Sequence, residues 1–285
     1  MRQQIIDLIF EIAKEKNAFD LLEKQISKIS KNQLSENIIM CGILPEMFEH
    51  DSSEEKLWAK FTDIILAQSL THIGIPSEVL RTRGDSADVF GKNNSYSIIG
   101  DAKTFRLSRT SKNQKDFKIK ALDDWRKDNN FALLVGPLTQ FPNRKSQIYF
   151  QSIDKNVTLL SYTHLNYLLT FYKNQALQPL WETGLKIKKH SKSINHQSAE
   201  NYWEEIDSVL CSIFNRNYND LKKFKLKEIE KTKEIGNEGI TYWKEKIESF
   251  NKLSKKEAIS ILIKAGKIET KIKTIQKAIE IEISY

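Results

Sequence analysis

The feature that most limits the fold of this chain is a change of texture between about residues 76 and 162. There "SADVFG", "SYSIIGDAKTF", "FALLVGP", "SQIYFQS" and "NVTLLSY" form short β-rich runs separated by polar or Gly/Pro segments, and each predicts a strand. One helical piece, "DFKIKALDDWRKD", falls between the second and third runs. Strands alternating with a helix predict an α/β (α+β) core with a central mixed sheet. On the N-terminal side, Ile5, Ile6, Leu8, Ile9 and Ile12, then Leu21, Leu22, Ile26 and Ile29, recur at three- and four-residue intervals and predict amphipathic helices. "DSSEEKLWAKFTDIILAQSLTHIG" predicts a further helix. Ser52 or Ser53 caps it, acids fill its first turn, Gly74 follows its end, and Leu57, Phe61, Ile64 and Ile65 form its buried face. Helical spacing returns at Thr163, pauses in the polar connector "KIKKHSKSINHQSAEN", and continues from Tyr202 to the end. The pattern divides the chain into 1–185, N-terminal helices with an α/β core, and 186–285, a C-terminal helical region. That second region is expected to pack on the core, to dimerise, or both.

Composition narrows the choice of partner. Lysine and arginine outnumber the acids by 45 to 37, a net charge of +8, which favours an anionic partner, nucleic acid before a membrane surface. Cys41 and Cys211 stand far apart in no CxxC pattern, which fits free thiols in a reducing cytoplasm rather than disulfides or zinc. The five histidines fall at no close metal-ligand spacing. Apolar runs stop well short of the ~20 residues that a membrane helix requires. A soluble, cytoplasmic protein with no membrane partner is expected.

The chemistry gathers where one strand leaves the core. Asp101 and Lys103 stand two residues apart at the end of "SYSIIGDAK", so a strand with period-two side chains presents both on one face. Asp88 lies thirteen residues upstream (101 minus 88), and the loop "GKNNS" is suited to closing the two strands into a hairpin with Asp88 beside Asp101. Hydrolysis of a phosphodiester needs an activated water and charge stabilisation at phosphorus, much of it supplied by Mg²⁺. Mg²⁺ prefers carboxylate oxygens and water. An acid-any-lysine triplet is common here, as at Glu54/Lys56, Asp116/Lys118, Asp220/Lys222 and Glu269/Lys271, and only Asp101/Lys103 has this strand context. A surface ion pair of little energetic weight is the other reading. Glu55, in the first turn of "EEKLWAKF", is a candidate third carboxylate, or simply an acid at a helix N-terminus. Lys56 and Lys60 read as solvated. The following loop holds Arg109, Lys112, Asn113, Gln114, Lys115, Asp116 and Lys118, side-chain types that read base edges when a loop enters a groove.

The run "GDAKTFRLSRTSKNQKDFKIKALDDWR", together with "RGDSADVF", "SSEEKLWAK" and "GILPE", strongly resembles the HindIII restriction endonuclease family, in detail over about residues 42 to 165 and more loosely in the flanks. The resemblance implies a PD-(D/E)xK nuclease core with helical regions on either side. It implies a homodimeric type II enzyme that requires Mg²⁺ and cuts double-stranded DNA. Its motif maps onto Asp88, Asp101 and Lys103, with Ala87 where the textual motif has proline. Its recognition loop maps onto Thr110 to Lys118, and Asp116 and Lys118 match positions associated with function. It further implies the target 5′-AAGCTT-3′, cut after the first A, and a methyltransferase that protects the host's own sites. A structure-specific repair or junction nuclease of the same fold, and a DNA-binding protein without activity, are the competing readings.

Overall fold

The computed structural model describes residues 1–81, 86–109, 114–190 and 198–279. Its helices and strands are α1 (Arg2–Ile12), α2 (Ala18–Ile26), α3 (Lys31–Cys41), α4 (Ser53–His72), β1 (Ser77–Val79), β2 (Val89–Lys92), β3 (Ser97–Ala102), α5 (Gln114–Phe117), α6 (Ile119–Arg126), β4 (Phe131–Gly136), α7 (Gln147–Lys155), β5 (Val157–Ser161), α8 (Tyr162–Phe171), α9 (Gln178–Trp181), α10 (Thr183–His190), α11 (Ala199–Phe214), α12 (Tyr218–Asn251), α13 (Lys255–Ala265) and α14 (Ile268–Ile279). The strands form one sheet in the order β1-β2-β3-β4-β5. β1, β2 and β3 pair antiparallel, whereas β3, β4 and β5 pair parallel. The sheet is therefore mixed, and the α/β architecture expected of a PD-(D/E)xK nuclease core is present.

Every residue of β4 and β5 is buried, as in a parallel sheet covered on both faces. The capped helix is α4: the Ser52 hydroxyl accepts from the Glu55 backbone N–H at 3.1 Å, and Leu57, Trp58, Phe61, Ile64 and Ile65 are buried along it. Gly74 follows with a φ of 81°, a left-handed conformation that favours glycine. Two strand assignments differ from expectation. "SQIYFQS" lies in α7, because Ile148, Tyr149, Ser152 and Ile153 are buried at helical spacing and Ser146 caps the turn. The additional edge strand, β1, is three residues long, too short to announce itself by alternation.

Long-range polar contacts tie the helices to the ends of the parallel strands. From α12, the carboxylate of Glu228 accepts from the backbone N–H of Leu138 at 2.7 Å and of Thr163 at 2.8 Å, and also from the Thr163 hydroxyl. It thus joins α12 to the segment after β4 and to the first turn of α8. Burial raises its pKa, against the pull of these donors. His164 is buried with Nδ1 toward Ser161 and Nε2 3.0 Å from Asp207 of α11.

The chain divides into two compact units, Met1–Gly236 and Asn237–Tyr285. The second contains the C-terminal part of α12 with α13 and α14, and no residue of α13 is buried. Among the described residues, no helix is long and apolar enough to cross a membrane. Replacing Glu228 with Ala leaves its buried donors without an acceptor and is expected to cost about 3 kcal/mol of stability in urea unfolding. Glu228→Gln, which keeps an acceptor oxygen, should lose much less. Equal stability of wild type and Glu228→Ala would remove Glu228 from this role.

Candidate active site

β2 and β3 form the expected hairpin, with Val89 opposite Gly100. Continued by one residue, that register sets Asp88 against Asp101. Asp101 lies within β3, and Lys103 follows just past its end, still bonded to β4 by its N–H to the Val135 carbonyl at 2.7 Å. The Lys103 ammonium stands 2.5 Å from Asp101 Oδ2. The acid and base of the triplet are thus in direct contact at the mouth of the sheet.

The third carboxylate near this pair is Asp63 of α4. One oxygen each of Asp63, Asp88 and Asp101 lie within 4.8 Å of one another, with Asp63 and Asp101 buried and Asp88 half-buried. Close helix–sheet packing makes this possible. A Cβ on Gly100 would stand 3.1 Å from Leu66 Cδ2, so the bare backbone there lets α4 lie near β3. Thr62 adds a 3.4 Å hydrogen bond to the Ala102 carbonyl. Burial, reinforced by the charges of Asp88 and Asp101, holds the Asp63 pKa well above the ordinary carboxylate value, and Lys60 acts in the opposite direction. Hard carboxylate oxygens on three separate elements, partly open to solvent, are a suitable donor set for a divalent cation such as Mg²⁺.

Lys60 is not solvated as the sequence suggests. Its ammonium lies 2.7 Å from Asp88 Oδ1 and 3.1 Å from Asp63 Oδ2. Burial works against its charge, but Asp63 and Asp88 leave its pKa raised. Sequence reasoning missed both Lys60 and Asp63. The available signal was the acid itself, placed inside the apolar stripe Phe61, Ile64 and Ile65 with a lysine one turn before it.

Glu55 sits elsewhere. Its carboxylate accepts from the Asp51 backbone N–H at 2.6 Å, lies 3.3 Å from His50, and pairs with Arg106 at 3.3 Å. This is a helix N-terminal network separate from the group of Asp63, Asp88 and Asp101. It serves the exit of β3. Arg106 also donates to the Phe48 carbonyl at 2.5 Å, and Glu46 accepts from the Ser108 N–H at 3.0 Å and its hydroxyl at 2.6 Å. The "GILPE" segment runs beside residues 103–108, with Ile43 bridged to Phe105. Gly42 admits the ring of Tyr162, which would overlap a Cβ at 2.4 Å, and the Tyr162 hydroxyl donates to the Lys103 carbonyl at 3.0 Å.

Of the residues expected to read DNA, Arg109 pairs with Asp116 at 2.5 Å, which ties the two ends of the loop together. Lys118 is exposed, with a φ of 50°, at the N-terminus of α6. Gln114 and Lys115 open α5. Lys112 and Asn113 lie outside the described residues.

Comparison with known proteins agrees with this geometry. The model of the HindIII restriction endonuclease family matches residues 4–279. The type II restriction enzyme HindIII of Haemophilus influenzae is 36% identical over 98% of this chain and 95% of its own length. Matched almost end to end, and carrying an acid and lysine pair at the mouth of a mixed sheet, the chain belongs to the HindIII restriction endonuclease family.

Proposed function

We propose that this chain is a Mg²⁺-dependent enzyme that hydrolyses double-stranded DNA at a short palindrome, 5′-AAGCTT-3′, cutting after the first A. The observation that carries the reaction is the convergence of Asp63, Asp88 and Asp101 beside Lys103 at the end of β3. Family membership and the identity to the Haemophilus influenzae enzyme support the target.

Asp63, Asp88 and Asp101 would hold the ion. Bound there, Mg²⁺ would supply positive charge to the phosphate and lower the pKa of water. Lys103, held against Asp101, offers its remaining N–H donors to the attacking water and to a phosphate oxygen. The water oxygen bonds to phosphorus and gives up a proton to solvent, the opposite P–O bond breaks, and the released oxygen takes a proton from solvent. Glu55 is a positioning residue in this reading: through Arg106 it steadies the chain between Lys103 and the loop from Thr110 to Lys118. That loop, with Arg109, Lys112, Asn113, Gln114, Lys115, Asp116 and Lys118, would read base edges, and the basic surface would bind phosphates.

A palindrome calls for two copies related by a two-fold axis. The C-terminal helical region is proposed to bring them together. Ile240, Trp243, Ile247 and Phe250 on α12, and Ile268, Ile272 and Ile275 on α14, are exposed at the three- and four-residue spacing of a coiled-coil seam. A host methyltransferase acting on the same sequence would be the functional partner.

Digestion of DNA of known sequence tests the reaction, ion and target together. Discrete fragments ending at AAGCTT are expected with Mg²⁺, and intact DNA with EDTA. Fragments ending elsewhere would move the target, and cutting at branched structures alone would replace a sequence-specific enzyme with a structure-specific one. Asp101→Ala should lose at least about 10³-fold in cleavage rate, since several kcal/mol of charge stabilisation disappear with the ion. Wild-type cleavage by Asp101→Ala would move the active site.

Asp63→Asn should separate activity from stability. A carboxyl whose pKa is raised on folding contributes stability below its unfolded value and loses that contribution as pH rises through its folded value. At neutral pH without metal, the raised pKa of Asp63 therefore costs stability, and Asn removes that cost. A Tm higher by about 2–4 °C for each kcal/mol recovered is expected in EDTA, with cleavage lost. A lower Tm would contradict the electrostatic account. For the dimer, Ile247→Glu with Ile272→Glu should halve the mass seen by sedimentation equilibrium while the α/β unit stays folded. An unchanged mass would exclude this seam.

A further inference from the structure

Resting on the metal-site reading above, we propose that Lys60 is the resident counter-ion of the carboxylate cluster and competes with the divalent ion for it. Its ammonium contacts two of the three carboxylates that would hold the ion, Asp88 Oδ1 at 2.7 Å and Asp63 Oδ2 at 3.1 Å. Lys103 takes the third, Asp101. The two lysines come from different elements and have different freedom. Lys103 is held at the end of the central strand, its N–H bonded to Val135 and its carbonyl to Tyr162. Lys60 projects from α4 on a four-carbon stem, and its side chain and that of Asp88 are 36% and 38% exposed.

Three carboxylates with oxygens inside 4.8 Å repel one another. A single ammonium spanning two of them keeps the site assembled before any metal arrives. A divalent ion carries twice the charge and binds the same oxygens, so its entry takes over the work of Lys60. The ammonium is then released at the solvent-facing edge of the cluster, and metal affinity is lower than the carboxylates alone would give. Lys60 is therefore a positioning residue rather than a catalytic one.

Titration of Mg²⁺ into the full-length, DNA-free protein, followed by calorimetry, tests this. Lys60→Met should bind Mg²⁺ roughly tenfold more tightly than wild type, the scale of one lost charge-assisted contact. Lys60→Arg, which keeps the charge, should bind like wild type. Equal or weaker binding by Lys60→Met overturns the proposal. A second readout needs no variant: acetylation of lysines by acetic anhydride, followed by mass spectrometry. Lys60 should label slowly in the metal-free wild type and faster with Mg²⁺, and slow labelling in both states overturns the proposal. If the wild type and Asp101→Asn give the same Mg²⁺ isotherm, the metal-site reading itself falls. If the wild type binds Mg²⁺ through Asp101 but Lys60→Met binds no more tightly, only the role of Lys60 falls.

Discussion

Mutual repulsion of three carboxylates at the mouth of one sheet is the constraint around which the rest of this structure is arranged. Two unit charges about 4 Å apart interact by about 4 kcal/mol at the effective dielectric of a protein surface, a large part of the stability of a typical domain. Asp63, Asp88 and Asp101 would not stay together without compensation. Two ammonium groups supply it, Lys60 bridging Asp88 and Asp63, and Lys103 against Asp101. Burial raises the pKa of Asp63, and the charges of Asp88 and Asp101 add to it against the pull of Lys60.

The scaffold brings these charges close at small cost in packing. Gly100 gives α4 its approach to β3, and Gly42 gives Tyr162 the space from which it bonds the Lys103 carbonyl. Past the C-terminal ends of β4 and β5, Glu228 spends a buried carboxylate on backbone donors of two segments. Buried polar groups of this kind are stabilising only when fully partnered, so they also select one arrangement of the helices over others. The cluster thus depends on close contacts as much as on charge.

The loop that follows β3 shares this economy. Glu46, Glu55 and Arg106 form a polar brace on the chain between Lys103 and Arg109. Arg109 and Asp116 join across the loop. The segment braced in this way leaves the strand that carries Asp101 and Lys103.

Much of the site was legible from local pattern. The i, i+2 placement of Asp101 and Lys103, the hairpin that brings up Asp88, the cap of α4 at Ser52 and the mixed sheet follow from periodicity and turn chemistry over a few residues. The segment around Tyr149 misled because a short run of aromatic and β-branched residues fits a strand as well as a buried helix face, and only neighbours on both sides decide. Asp63, Lys60 and the true surroundings of Glu55 were not legible. Which acid of α4 reaches Asp88 and Asp101 depends on how deep the helix lies and how it is turned, set by Leu66 against Gly100 and by Thr62 against Ala102. The sequence by itself determined the chemistry available and the strand that presents it, because alternation and hairpin closure act at short range. Only the tertiary structure decided which third carboxylate joins and which lysine bridges two of the three, because Lys60 and Asp88 are 28 residues apart and meet only when helix and sheet pack.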